Sequence, residues 1–300
     1  MSMGCGHRSA EVVPFSKQFM KLVTTISEMR SLCRSAKSGG KRLGLVPTMG
    51  ALHAGHLSLV HAARSRSEVV AASIFVNPTQ FGPNEDFARY PRNLEDDCAI
   101  LEREGVELVF APSVQEMYPA GLVTRVTVDG LSDRLCGKSR PGHFCGVTTV
   151  VAKLFHIIEP DFAFFGQKDA AQHAIIRHMV RDLNMSVSVE VCPIVREPDG
   201  LALSSRNAYL GAEERKSALV LHRSLMRVQK LFGSKERDSA RLIEAARREF
   251  ATEAGVRLDY FEVVDPDTLE PQSRVEGITL VAVAGFVGKT RLIDNVVLGA

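Results

Sequence analysis

The sequence predicts a doubly wound α/β protein in which a mainly parallel sheet, residues 18–193, is followed by a smaller α+β unit, residues 194–300. Three observations carry this. From Leu43 to Val191, short apolar runs alternate with helical segments, the pattern of βαβ units and hence of parallel strands. After Pro193 the order changes to two charged amphipathic helices followed by three strand-like runs, which suits an antiparallel sheet with its own helices. Finally, the 300 residues are 45% hydrophobic, enough chain and apolar material for a core in each of two units.

The elements follow in order. Residues 1–17 form a polar extension without periodicity, expected to be mobile. Leu43-Gly44-Leu45-Val46 is a strand bounded by Pro47, Thr48-Met49-Gly50 a loop, and Gly55–Ser65 a helix. Val69–Val76 reads as a buried strand closed by Asn77-Pro78, because proline cannot donate to a ladder. Leu94–Arg103 is a helix with Asn93 as N-cap, Glu95, Asp96 and Asp97 in the first turn where the dipole favours acids, and Gly105 at its end. Val106–Phe110 is the next strand. Val147, Val150, Val151, Leu154, Phe155 and Ile158 form a full amphipathic helical stripe that Pro160 stops. Phe162–Phe165 is a short strand, Gly166–Asp169 a loop, Ala170–Leu183 a helix and Val187–Val191 an alternating strand. In the second unit, Ala212–Phe232 and Ser239–Thr252 are helices, and Leu258–Val264, Thr279–Val283 and Arg291–Val297 are strands. The two units are expected to abut and share a cleft.

Composition narrows the function. Thirty-seven basic and 35 acidic side chains leave a formal charge of +2, which provides no field for wrapping nucleic acid. No apolar stretch reaches the ~18 residues of a membrane span, and the first twenty residues lack a sustained apolar segment. Six cysteines, without a C-x-x-C pair, read as free thiols in a reducing compartment. A cytoplasmic protein without nucleic-acid or membrane partners is therefore expected.

Four motifs can carry chemistry. His53-Ala54-Gly55-His56 stands at a helix start after the first strand, where free N–H groups and the dipole suit phosphate. The two imidazoles could donate to phosphate oxygens or could be ordinary polar residues; a metal pair lacks a third ligand at suitable spacing. Leu203-Ser204-Ser205-Arg206-Asn207 offers hydroxyls and a guanidinium fork to a polyphosphate, or is plain surface-loop chemistry. In Gly166-Gln167-Lys168-Asp169, with Gln172 on the next helix, Lys168 offers a point charge or a solvated one, and Asp169 caps the helix or approaches a ribose. Asn77 and Gln80 lie at a strand's carboxyl end, where amides can read hydroxyls and carboxylates or form a turn. Arg140-Pro141-Gly142-His143-Phe144 reads as a surface turn. Asp96 and Asp97 could reach a magnesium ion, although the helix dipole already explains them.

The first two motifs together resemble the signatures of the nucleotidylyltransferase superfamily. With Leu45-Val46-Pro47-Thr48-Met49-Gly50, Phe75–Phe81, Tyr90-Pro91-Arg92, Arg140–Phe144 and Phe165–Asp169 added in order, residues from about Ser16 to Val297 resemble the pantoate beta-alanine ligases, or pantothenate synthetases. The resemblance implies a homodimer with a Rossmann-like N-terminal domain and a C-terminal lid. It implies that pantoate, ATP and magnesium give pantoyl adenylate and pyrophosphate, after which beta-alanine gives pantothenate and AMP. It places His53, His56, Lys168, Ser204, Ser205 and Arg206 on the phosphates, with Asp169 on the ribose. Pro47, Thr48, Met49 and Gly166 join the ATP site, and Met49, Gln80 and Gln172 hold pantoate with Asn77 supporting. Asp97 is the candidate metal ligand, with magnesium held mainly by the phosphates. Ala171 and Gln167 depart from the family's common Gln and Glu, which bears on substrate positioning.

An adenylyltransferase with another acid or phosphate acceptor is the nearest rival, followed by a nucleotide sensor and a metal-binding module. The set His53, His56, Lys168 and Arg206, read as positive charge, favours turnover over sensing. Asn77, Gln80 and Gln172 favour a hydroxy acid as acceptor. Adenylation brings two anions together, so it needs charge and in-line positioning and no nucleophilic side chain.

Overall fold

The computed structural model describes residues 20–83 and 85–299; the polar extension at 1–17 lies outside them. Six strands form one sheet: β1 (Lys21–Val23), β2 (Leu43–Thr48), β3 (Val69–Ile74), β4 (Leu108–Phe110), β5 (Phe162–Gly166) and β6 (Ser188–Cys192). Their order is β1-β4-β3-β2-β5-β6 and every pairing is parallel. Helices α1 (Ile26–Ser38), α2 (Ala54–Arg66), α3 (Leu94–Arg103), α4 (His143–Ile158) and α5 (Ala170–Asp182) cover both faces.

Double cover explains why the strands read as continuous apolar runs. Leu43, Leu45, Val69, Ala71, Leu108 and Phe110 point into one core with residues of α1, α4 and α5. The alternate residues Val46, Val70, Ala72 and Val109 point into a second core with Leu59, Val60 and Ala63 of α2 and Leu101 of α3. No element was expected over 18–42, yet β1 and α1 lie there. Thr25 caps α1 by accepting from the Glu28 N–H, and Met29 and Cys33, one turn apart, are its only fully buried side chains.

The chain runs outward from β2 to β3 and β4, then crosses back to β5 on the other side of β2. This reversal splays the loops leaving β2 and β5, which is where doubly wound sheets bind ligands. Strand β2 pairs with β3 along its whole length but with β5 only at Gly44 and Leu45. Pro47, expected to bound the strand, lies inside it. The N–H and C=O of Thr48 both face β3, so the nitrogen of Pro47 points to the opposite side, where pairing with β5 has already ended. No ladder bond is lost, and the crevice opens there.

The second unit holds α6 (Ala212–Gly233), α7 (Ser239–Ala251) and an antiparallel sheet β7 (Val256–Val264), β8 (Thr279–Val287), β9 (Thr290–Leu298). Val281 and Val283 of β8 face the core under α6 and α7. Leu280 and Ala282, on the other face, join the core of the large sheet. The two units therefore meet through apolar packing, with a cleft beside it. No described helix is long and apolar enough to cross a membrane.

Candidate active site

His53 is the N-cap of α2, and its Nδ1 accepts the Gly55 N–H at 3.1 Å, while His56 Nδ1 accepts the His53 N–H at 3.3 Å. The rings sit 4.1 Å apart. Gly55 is required by this arrangement: a Cβ there would stand 2.9 Å from the His53 ring. With both Nδ1 atoms accepting, each neutral ring carries its proton on Nε2 and presents it as a donor. Burial, reinforced by Lys168, pushes His53 down to about 4. Burial, then His53 and Lys168, pushes His56 to about 3. The expected positive character of these histidines is thus corrected: at neutral pH they are uncharged donors.

Lys168 follows β5, its Nζ 3.5 Å from Asp169 Oδ2. Asp169 does not cap α5 with its side chain, which leaves the carboxylate facing Lys168. Burial opposes its charge, but Lys168 and Arg206 hold it below the usual carboxylate range. Gln167 has a different task. Its Nε2 donates to Asn295 Oδ1 of β9 at 3.0 Å, and Asn295 Nδ2 donates back to the Gln167 and Lys168 carbonyls at 2.9 and 3.0 Å. The residue departing from the family pattern thus ties the lysine loop to the second sheet. Ala171, the other departure, packs in the core.

Ser205 and Arg206 lie on a helical turn, Ser205–Tyr209, that Ser204 caps by accepting the Arg206 N–H. Ser205 Oγ donates to the Ala51 carbonyl at 3.1 Å, joining this loop to the one after β2. The Arg206 guanidinium makes a bidentate pair with Asp86, both distances 2.9 Å.

Asn77 is buried and its amide is fully engaged. Nδ2 donates to Gln80 Oε1 at 3.0 Å and to the Gly146 carbonyl at 3.1 Å, and Oδ1 accepts from Tyr118 and Thr79. Its role is to aim Gln80, whose Nε2 lies 3.1 Å from Met49 Sδ. Helix α4 approaches this turn so closely that a Cβ at position 146 would meet the Thr79 carbonyl oxygen at 2.4 Å, so only glycine fits.

The turn expected over 140–144 forms, with Pro141 and Gly142 exposed, but the Arg140 and His143 side chains point inward from it. Arg140 binds Glu85 at 2.6 and 2.5 Å, and His143 Nδ1 lies 2.8 Å from the Gln80 carbonyl. Both line the cavity, and burial followed by Arg140 pushes His143 down to about 4. The signal was present in the sequence: Gly142, with φ of 80°, opens α4 directly onto the amphipathic stripe.

Asp97 does not fit the part of direct magnesium ligand. It is 3% exposed, and its two oxygens accept the Ala51 and Leu52 N–H groups, both at 2.9 Å. It holds Ala51 in the left-handed region, φ 51°, which an alanine would otherwise avoid. Among the described residues no cluster of three or more His, Cys, Asp or Glu is placed to hold a metal.

A cavity of about 230 Å³ gathers every other candidate: Pro47, Thr48, Met49, His53, His56, Asn77, Gln80, Gly166, Lys168, Asp169, Gln172 and Ser204–Arg206. A second, about 590 Å³, extends from Lys168, Asp169 and Arg206 along the cleft between the two units to Tyr260 and Arg291.

The neutral histidines make stability depend on pH. His173 is also pushed down to about 4, chiefly by burial. Unfolded imidazoles take up protons near pH 6.5, so between about pH 6.5 and 4 the unfolded chain binds more protons than the folded one and stability rises with pH. The carboxylates held low, such as Asp86 and Asp169, lose their contribution only below about pH 4.5. The Tm should therefore fall between pH 7 and 5, and His56→Gln should fall less steeply. A flat Tm over that window would show that these rings are not buried as neutral species.

The chain is similar to known proteins over most of its length. A family profile described as pantoate-beta-alanine ligase matches residues 21–297. A pantothenate synthetase of Koribacter versatilis is 62% identical over 281 residues, covering 94% of this chain and 97% of its own. The crystal structure of pantothenate synthetase from Thermus thermophilus superimposes with a TM-score of 0.88 at 47% identity, over 92% of this chain and 99% of that one. A pantoate-beta-alanine ligase from Francisella tularensis, complexed with beta-gamma ATP and beta-alanine, gives 0.74 at 35% identity, over 92% of this chain and 97% of that one.

Proposed function

The chain belongs to the pantoate-beta-alanine ligase family, and from that premise we propose how its own residues carry the reaction. The reaction condenses pantoate with beta-alanine at the expense of ATP through pantoyl adenylate, releasing pyrophosphate and then AMP. In the first step a pantoate carboxylate oxygen attacks the α-phosphorus in line as the bond to the pyrophosphate oxygen breaks. Two anions meet and charge collects on the leaving group, so the protein's work is positioning and charge stabilisation. Lys168 supplies a point charge and Arg206 a fork, Ser204 and Ser205 supply hydroxyls, and His53 and His56 donate from Nε2. Asp169 takes the ribose, with Pro47, Thr48 and Gly166 lining the nucleotide's path. Gln80 and Gln172 hold pantoate beside Met49. In the second step the amine of beta-alanine attacks the acyl carbon and AMP leaves.

One observation supports this assignment above the others. The loops carrying His53 and His56, after β2, and Lys168 and Asp169, after β5, leave neighbouring strands where the strand order reverses, and Ser204–Arg206 closes over them. Magnesium enters as part of the ATP complex, held by the phosphates. We further infer that residues 194–300 act as a lid on the 18–193 domain, and that the enzyme is a cytoplasmic homodimer.

The adenylate route makes the half-reactions separable. Pantoate, ATP and magnesium without beta-alanine should support exchange of labelled pyrophosphate into ATP. Exchange that needs beta-alanine, or ADP and phosphate as products, would exclude adenylation.

A further inference from the structure

Each lysine and arginine that lines the smaller cavity already faces a carboxylate. Arg206 is paired with Asp86, Arg140 with Glu85 and Lys168 with Asp169, while the histidines are neutral. A triphosphate that engages these cations directly must take them from their carboxylates. Arg206 is where the competition is direct: its Nε and Nη2 hydrogens, the fork that would grip two phosphate oxygens, are both given to Asp86 at 2.9 Å. Phosphate and carboxylate present similar oxygen pairs to a guanidinium, so one replaces the other without moving the arginine.

We propose that Asp86 is a positioning residue: an internal anion that holds Arg206 in the cavity before nucleotide binds, yields it to the triphosphate, and reclaims it to expel pyrophosphate. The Asp86 side chain is 12% exposed, so once displaced it cannot stay as an unpaired anion beside the phosphates and must turn outward. Its surroundings allow a concerted movement. Asp86 lies on a single helical turn, Asp86–Ala88, and the residues just after it are tied to the Ser205–Tyr209 turn, so that the two would move together: the Tyr209 hydroxyl donates to the Arg89 carbonyl at 3.2 Å, Arg89 lies over the Tyr209 ring, Arg206 over the Tyr90 ring, and the Tyr90 hydroxyl bonds Ser205.

The inference rests on the phosphate role of Arg206 proposed above. It is tested by calorimetric titration of magnesium pyrophosphate into the full chain. Asp86→Asn keeps an acceptor for Arg206 but removes the competing charge, so it should bind pyrophosphate about tenfold more tightly, in line with a charge-assisted pair. Pyrophosphate should become a stronger product inhibitor by a similar factor. Asp86→Glu restores the charge and should stay within about threefold of the parent, given the modest worth of a partly exposed pair. The tightening should vanish when Arg206→Ala is added. Weaker or unchanged binding by Asp86→Asn, or tightening that survives Arg206→Ala, would overturn the proposal. If Arg206→Ala alone binds pyrophosphate as the parent does, the phosphate role of Arg206 fails and this inference with it. Weakened binding by Arg206→Ala without tightening by Asp86→Asn removes the inference alone.

Discussion

Replacing His56 by alanine should lower kcat by about 10²- to 10³-fold while ATP affinity changes far less. The reason lies in the charge state. A cationic imidazole would attract the triphosphate in the ground state as well, and its loss would weaken binding. His56 is held neutral by burial, with its Nδ1 committed to the His53 N–H, so it offers one oriented Nε2–H donor. Such a donor gains strength as charge collects on the leaving pyrophosphate, which places its effect on kcat. Glutamine is the informative second variant. Its Oε1 can accept the His53 N–H as in an ordinary capping box, and its Nε2 can donate, so His56→Gln should retain more kcat than His56→Ala. Steady-state kinetics beside a direct ATP titration decides. Equal loss of ATP affinity with unchanged kcat would make His56 a uniform binding group.

Much of this site is legible in the sequence because its parts are local. His53, Gly55 and His56 share one helix start, Lys168 and Asp169 one loop, Ser204–Arg206 one turn, and the strand–helix alternation that sets these loops side by side is itself a local signal. Other features depend on partners distant in sequence. The Asp97 carboxylate was readable as a first-turn acid, but its bonds to Ala51 and Leu52 depend on α3 packing beside the loop after β2. Arg140 and His143 look like turn chemistry until Glu85 and Gln80 are brought against them. Asp86 carries no signal at all, since an acid beside Glu85 on one short turn gains meaning only from Arg206, 120 positions later. Over 18–42 the strand β1 is too short to read, at three residues, but α1 did carry a signal: Ile26, Met29, Leu32, Cys33 and Ala36 recur at helical spacing behind the Thr25 cap.

A pantoate analogue lacking a hydroxyl should be rejected by as much as ~10⁴ in kcat/KM, whereas one lacking a methyl should lose only about 10- to 200-fold. The asymmetry follows from the way Gln80 is held. Asn77 Nδ2 gives a hydrogen to Gln80 Oε1, which fixes the amide orientation and turns Nε2 toward Met49 Sδ and the cavity. Sulfur is a weak acceptor, so the amide is well satisfied only when a substrate oxygen arrives. Without the hydroxyl, a half-buried donor remains without a strong partner in the complex, and it is this loss that makes discrimination steep. Pro47, Met49 and Phe75 line the apolar side of the same cavity, where a missing methyl forfeits only contact area. Gln80→Ala should therefore erase most of the hydroxyl discrimination and leave methyl discrimination nearly intact. Asn77→Ala, which frees the amide to rotate, should weaken hydroxyl discrimination by less than Gln80→Ala does. Competition kinetics with the deoxy and desmethyl analogues separates the two effects. If the parent enzyme accepts the deoxy analogue as readily as pantoate, or Gln80→Ala leaves the ratio unchanged, then Gln80 does not read the hydroxyl, and the pantoate pocket must be drawn from Gln172 and its neighbours instead.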